Sequence, residues 1–452
     1  MLAKVQEHQE KMEKIAGELG ALAKLKAPLC LRKNSVPHLV PNPKDPRFAK
    51  RKLDLRSLNQ ILEIDTGANT CTAESGVAFD QLVHETLKHQ RIPMVVPELK
   101  TVTVGGAVSG CSLESMSYLY GGFHDTCLEY EILTGDGRVI TATPEKNSDV
   151  FQMIHGSYGT LGIITKVKFK LLPVAGHFVK MSYHTFTNVS NFFSFMRKRW
   201  EAKDHHFIDG IIHSPSQCVV CLGDIVAETP FISSYQGVNI YYKSTATRSI
   251  DYLTLKEYFF RYDTECHWLT RTFPPLENKL VRLLLGKKLL GSTNLIKNSR
   301  RLRHLMALKR RQDLVVDVFV PAFSFEEFYK WYEKEMNFFP LWAIPYRMPS
   351  IYPWVSEGYK TKLKSASESD RMIIDCGVYG MKNSHPQIDY ARLLEQKLFE
   401  FSGMKTLISK NSYSEEEFWS IFHRKHYLQM KEKLDPHSIF ENIYDKFNHK
   451  QQ

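Results

Sequence analysis

Long apolar runs are missing from this 452-residue chain. Nowhere do about 18 apolar residues follow one another, so no helix of bilayer length is encoded. The N-terminus is charged and lacks the apolar core of a signal peptide. Cysteine is sparse: eight residues, without the dense spacing of a secreted disulfide scaffold, point to reduced thiols in a cytosolic setting. The lone C-x-x-C, Cys218 and Cys221, sits in an apolar run with no second pair or ligating His nearby. It reads as buried strand, and no metal site is expected. Acidic residues are absent from Lys279 to Gln312, a segment with eleven Lys and Arg; these account for the whole formal charge of +11. The rest of the chain is close to neutral, which argues against a nucleic-acid binder with a broad basic face.

What is present is an ordinary globular composition, 43% hydrophobic and 24% charged, long enough for two or three cores. Residues 1–27 place Val5, Met12, Ile15, Leu19 and Leu22 on one stripe of a helix stopped by Pro28. The stripe suits docking on the protein itself or contact with a membrane or partner. From Lys52 to Pro173 short strands and helices alternate. Strands are expected at Ile61–Asp65 and Thr70–Glu74, a helix from Phe79 to His89, and a hairpin around Gly135-Asp-Gly, whose turn calls for positive φ. Between Ile164 and Leu172, Lys166, Lys168 and Lys170 alternate with apolar residues, so one face of that strand is wet. After Pro173 the chain becomes rich in aromatics and reads as a second α+β domain, a large antiparallel sheet with helices over one face. The predicted units are 1–27, 28–175, 176–423 and a C-terminal helical segment, 424–452, returning to the first domain.

The stretch Pro97 to Cys111 carries the chemical signal. Gly105, Gly106 and Gly110 lack Cβ atoms, so backbone N–H groups could wrap a phosphate, with Thr103 and Ser109 offering hydroxyls. Ala107 replaces the glycine that a dinucleotide fingerprint of the Rossmann kind needs, and no Lys follows Gly110 as in a Walker loop. A second cluster, Gly156-Ser-Tyr-Gly-Thr-Leu-Gly-Ile-Ile-Thr, precedes the alternating strand.

Thr103-Val-Gly-Gly followed by Gly159-Thr-Leu-Gly-Ile-Ile-Thr resembles the FAD-binding domain of the p-cresol methylhydroxylase and vanillyl-alcohol oxidase superfamily. Further segments, among them Pro97-Glu-Leu, Glu114-Ser, Asn147-Ser-Asp-Val-Phe, Tyr258-Phe-Phe-Arg-Tyr-Asp, Asp375-Cys-Gly-Val-Tyr-Gly and Ile443-Tyr-Asp-Lys, resemble the delta-24 sterol reductases, over most of the chain. That resemblance implies an α+β fold: a two-part FAD-binding domain and a substrate (cap) domain with a large antiparallel sheet. It implies non-covalent FAD, NADPH as reductant, and hydride transfer to an alkene in a sterol or isoprenoid side chain. Cofactor contacts are expected from Ser35, Pro97, Thr101, Val102, Thr103, Val104, Gly105, Gly106, Gly110, Cys111, Gly159, Gly162 and Ile163. At Arg32–His38 the chain lacks the glycine run that many superfamily members use for the pyrophosphate, and covalent attachment through His38 is not expected. Relative to animal and plant members, the chain begins just inside the point where their N-terminal membrane anchor ends.

An isolated alkene is poorly polarised, so hydride addition to one carbon needs an acid for the other. Candidates are Arg261, Asp263, Tyr379 and Lys446; Arg261 and Asp263 read equally well as a structural ion pair, and the Tyr346 and Tyr444 neighbourhoods are also open. The expected partner is a sterol-like apolar molecule. Lys279–Gln312 interleaves cations with leucines, a pattern suited to an anionic membrane surface, and with the N-terminal helix it is the candidate for peripheral contact on the cytoplasmic side, at the endoplasmic reticulum in a eukaryote. Two other readings stay open: a FAD-dependent alcohol or sugar oxidase or dehydrogenase, and a non-catalytic relative that binds a membrane or partner.

Overall fold

The computed structural model describes residues 2–24, 29–35, 51–267, 269–301, 313–364, 371–409 and 411–448. A first layer is small: β1 (Leu29–Arg32) and β2 (Arg51–Asp54) pair in parallel, and the helix Leu2–Ala23 packs beside them. The N-terminal stripe is what docks it. Met12, Ile15 and Leu19 are buried with Leu29, Leu53, Leu58 and Ile163, while Val5 stays exposed. Most of that stripe is therefore unavailable to a membrane, which corrects the N-terminal half of the membrane reading. Polar contacts add direction: His8 bridges Glu74 and Glu131 at 2.8 Å each. The proposed stop at Pro28 lies outside the described residues.

A six-stranded antiparallel sheet follows, built from β3 (Ile61–Asp65), β4 (Thr70–Glu74), β5 (Arg91–Pro93), β6 (Cys127–Leu133), β7 (Val139–Ala142) and β8 (Ile163–Pro173). Its order is β3-β4-β8-β6-β7, with β5 also on β8. The Lys/apolar alternation thus sits in the central strand, where Val167 and Phe169 are fully buried and Lys170 is exposed. In the β6–β7 hairpin the positive φ, +86°, belongs to Gly137. Gly135 is required for another reason: a Cβ there would lie 2.1 Å from Asp435 Oδ1, because its N–H donates to Leu434 O at 2.7 Å.

The larger sheet is wholly antiparallel. It comprises β9 (Phe178–Phe186), β10 (Phe207–Ser214), β11 (Gln217–Val226), β12 (Ile250–Thr254), β13 (Leu314–Pro321), β14 (Leu341–Arg347), β15 (Met372–Met381) and β16 (Met404–Lys405), in the order β12-β9-β11-β10-β14-β15-β13-β16. One face is covered by the helices Val189–Ala202, Phe325–Glu335 and Tyr390–Glu400 through Phe192, Met196, Phe328 and Leu394. The other packs on the first domain: Phe207, Ile211, Trp342 and Tyr379 share one core with Val95, Val104 and Met116. The expected α+β architecture with its large antiparallel sheet is present. Cys218 and Cys221 lie in β11 on opposite faces, in different cores, and are free thiols. No helix among the described residues is long and apolar enough to cross a membrane.

The C-terminal helices Arg424–Leu434 and Ile443–Phe447 lie against the first domain. Buried Lys431 donates to Thr160 O at 2.7 Å and pairs with Asp435 at 2.6 Å, so the ammonium is neutralised where it is desolvated.

Candidate functional site between the two sheets

The Pro97–Cys111 stretch turns into a short helix, Val104–Ser109, capped by Thr103, whose side chain accepts from Gly106 N–H at 3.3 Å. The backbone donors expected to wrap a phosphate are already engaged: Val104 donates to Val77 O, Gly105 to Ser75 O and Ala107 to Thr103 O. Ser109 donates its hydroxyl to Gly105 O at 2.8 Å. Thr103–Ala107 therefore forms a rigid ledge, and its expected role as an open phosphate cradle is corrected. Gly105 is small for packing, since its Cβ would fall 2.6 Å from Ser75 Cβ.

The ledge delivers its C-terminal end to the second glycine cluster. Tyr158 N–H donates to Ser109 O at 3.0 Å, and Gly156, Tyr158 and Gly159 all have positive φ (64°, 50° and 73°). Where the two clusters meet, Gly110, Cys111, Gly156, Ser157 and Tyr158 form one wall of a cleft. Phe319, Trp354, Met404, Leu407, Trp419 and Phe422 form the opposite wall, with Tyr427 and Ile443 from the C-terminal helices. Its mainly apolar lining, with a few polar groups, suits a small-molecule site.

Several buried polar atoms lining the cleft have no hydrogen-bond partner among the described residues: Ser157 Oγ, His155 Nδ1 and Trp354 Nε1. Burial holds His155 well below its ordinary pKa, so its ring is neutral. Aromatic faces with a few unsatisfied donors and acceptors suit a flat heteroaromatic ring with polar edges, as in a flavin. By that test the residues fit FAD.

The remaining expected cofactor residues distribute around the cleft. Gly159 faces Leu31 across 3.9 Å (to its would-be Cβ), which brings it beside the β1 segment that leads to Ser35. Gly162 is a close approach, its would-be Cβ 2.8 Å from Ile132, and Ile163 belongs to the small core with Leu29. Pro97, Thr101, Val102 and Val104 support the ledge rather than line the cleft. His38 lies outside the described residues.

The proposed acids separate. Arg261 and Asp263 are not partners, which corrects the ion-pair reading. Fully buried Arg261 pairs with Glu114 at 2.7 Å and Asp209 at 3.2 Å, its guanidinium 4.2 Å from the Tyr258 ring centre. Asp263 accepts from Lys100 N–H at 2.9 Å and Ser292 Oγ at 2.6 Å. Both are committed to joining the domains. Lys446 donates to Tyr158 O at 2.6 Å and so fixes the second glycine cluster. Tyr379 donates to Asp317, and its ring lies against His267 at 4.3 Å, which meets Glu98 at 2.7 Å. Burial pushes Asp317 up to about 6 and raises Glu98 well above the ordinary carboxyl value. Of the far wall, only Ile443 falls within the resembling segments named above. The visible signal was different: single Asp residues inside the apolar strands β10, β13 and β15.

These features define a flavoprotein class: a FAD-binding domain joined to a sheet-based cap, with a cleft at their junction. The family model described as "FAD binding domain" matches residues 47–143. Over most of its length the chain is related to the delta(24)-sterol reductases. It is 25% identical to the Homo sapiens Delta(24)-sterol reductase over 412 residues, covering 86% of this chain and 76% of the human protein. With the Arabidopsis thaliana Delta(24)-sterol reductase it shares 24% over 429 residues, 87% of this chain and 76% of the plant protein. A shorter likeness, 36% over 101 residues, joins 22% of the chain to 19% of Cytokinin dehydrogenase 9 of Oryza sativa subsp. japonica.

Proposed function

We propose that the protein is a FAD-dependent reductase that takes hydride from NADPH and saturates a carbon–carbon double bond in a sterol or isoprenoid side chain. The observation that carries this reading is the extent of likeness to the sterol reductases, which spans the cap as well as the flavin domain. Likeness to the cytokinin dehydrogenase covers only 22% of the chain, and a short shared stretch does not decide substrate.

In this reading Gly110, Cys111, Gly156, Ser157 and Tyr158 hold the ring end of non-covalent FAD, and Ser35 with the Gly159–Ile163 segment lies toward its phosphates. Bound FAD supplies two-electron hydride chemistry. Trp354, Trp419 and Phe422 exclude water and present an apolar surface to a long hydrocarbon. Anaerobic NADPH should bleach the flavin, and a sterol with a side-chain alkene should restore its colour. Bleaching by an alcohol or sugar instead would replace this reading with the oxidase one, and a colourless protein unable to take up FAD would end both. Gly106→Leu, which crowds the ledge against Thr103, should lower flavin occupancy, read as the visible absorbance of the purified protein.

The finer reading of location is peripheral contact with an anionic membrane through the helix Lys279–Leu289. Leu280, Leu283 and Leu284 are 62%, 69% and 70% exposed there, beside Lys279, Lys287 and Lys288. The basic residues Arg303, Lys309, Arg310 and Arg311 lie outside the described residues.

A further inference from the structure

Three strands of the large sheet each interrupt an apolar run with one aspartate: Asp209 in β10, Asp317 in β13 and Asp375 in β15. All three are on the face turned to the flavin domain, since the alternate residues Ile208, Val316, Val318, Ile374 and Cys376 belong to the helix-side core. Their hydrogen bonding differs. Asp209 accepts from Arg261, Tyr262 and Trp342, at 3.2, 3.2 and 2.9 Å. Asp317 accepts from Tyr379. Asp375 is 5% exposed, and its Oδ1 has no hydrogen-bond partner among the described residues.

Its place in the register gives that carboxyl a direction. Asp375 stands opposite Phe319 on β13 and Ile344 on β14, and Phe319 lines the cleft. Gly377, the next residue on the same face, leaves room for the Tyr379 ring: a Cβ there would lie 2.7 Å from it. That ring reaches across to Asp317, so its hydroxyl is taken up there. Burial, with the nearby charges of Asp317 and Glu98, holds Asp375 well above the ordinary carboxyl value, which favours its protonated form.

We propose that Asp375 is the proton source for the alkene carbon opposite the one that receives hydride. The inference rests on the reductase reading. The alkene π pair takes the Asp375 proton to form one C–H bond, and the O–H pair stays on the carboxylate. Hydride from the NADPH-reduced flavin forms the other C–H bond, so the flavin loses two electrons and the alkene gains them. Solvent returns a proton to Asp375 before the next turnover. The other candidates are spoken for. Arg261 is locked between two carboxylates, Asp263 and Lys446 hold backbone and side-chain partners, and Tyr352 donates to Asp125.

The test separates the half-reactions in the holoenzyme. Asp375→Asn should keep its flavin and its rate of bleaching by NADPH, while reoxidation by a side-chain-unsaturated sterol falls at least a hundredfold. Asp375→Glu, which keeps an acid, should recover part of that loss. In the infrared difference spectrum between the unaltered protein and Asp375→Asn, a protonated-carboxyl band should be lost while those of the other buried carboxyls cancel; this readout needs no turnover. Reoxidation of Asp375→Asn at the unaltered rate, or an unchanged infrared band, would overturn the inference alone. Failure of NADPH to bleach the unaltered protein would overturn the reductase reading, and the inference with it.

Discussion

The two faces of the large sheet are built from the same strands, yet they obey different rules. On the helix side Val316, Val318, Ile374, Cys376 and Val378 make an uninterrupted apolar layer, where packing decides stability. On the flavin-domain side the same strands present Asp209, Asp317, Asp375, Trp342 and Tyr379, groups that are expensive to bury and must be satisfied or kept neutral. Strand β15 has all ten residues buried, so its alternation does not separate wet from dry; it separates core from site.

The largest effect should come from breaking the satisfied part of the polar face. Arg261→Ala leaves Glu114 and Asp209 buried without their cation, a loss of about 3–5 kcal/mol. Denaturant unfolding should show it, whereas Asp375→Asn, which removes no partner, should unfold close to the unaltered protein. Equal losses from both would erase the distinction between a structural and a chemical carboxylate on this face.

How far the sequence foretold this depends on the range of the interaction. The strands Ile61–Asp65 and Thr70–Glu74, the wet Lys face of β8 and the docking stripe of the first helix follow from local periodicity, and the structure contains them. Both glycine clusters were visible, and the first lies within the residues that match the FAD-binding family model. Local reading failed where a partner comes from far away. Gly135 is small because Asp435 approaches it, and Arg261 turns from its neighbour Asp263 to Glu114, 147 positions away. The cleft's far wall combines residues from Phe319 to Ile443 that share no motif. An Asp in an apolar strand is legible as unusual, but which of three such residues lacks a partner depends on register.

The first helix offers the next comparison, because its interface is polar at one end and apolar at the other. Burial disfavours a charged His8 ring, but hydrogen bonds to Glu131 and Glu74 outweigh it and lift the pKa from 6.5 to about 8. A raised folded-state value contributes stability that is complete below about pH 6.5 and is lost as pH rises through about 8. The stability difference between pH 6 and pH 9 should include a part of at most about 2 kcal/mol that disappears in His8→Gln. If the difference is unchanged by that substitution, the ring is not held between two carboxylates.

On the helix-side face of the sheet a small truncation should cost only packing. Ile374→Val removes one methylene from a fully buried site, so unfolding should weaken by about 1 kcal/mol, with flavin absorbance and NADPH bleaching unchanged. A change in either would mean that the two faces are coupled through the strand more tightly than their separate cores imply.

The smallest effect on stability should come from the exposed leucines, and there the contrast with the first helix is sharpest. Leu19 is fully buried, and Leu19→Ala should cost about 2–5 kcal/mol. Leu283 and Leu284, on a helix whose charged residues are all basic, have little to lose on folding. Replacing both with Asn should shift stability by less than about 0.5 kcal/mol. If that helix meets a lipid surface, the same pair of changes should weaken binding to vesicles containing anionic lipid, because both the apolar insertion and the depth at which the lysines meet the headgroups are lost. Unchanged vesicle binding would assign those leucines to some other contact; a large loss of stability would mean they are covered by the chain itself.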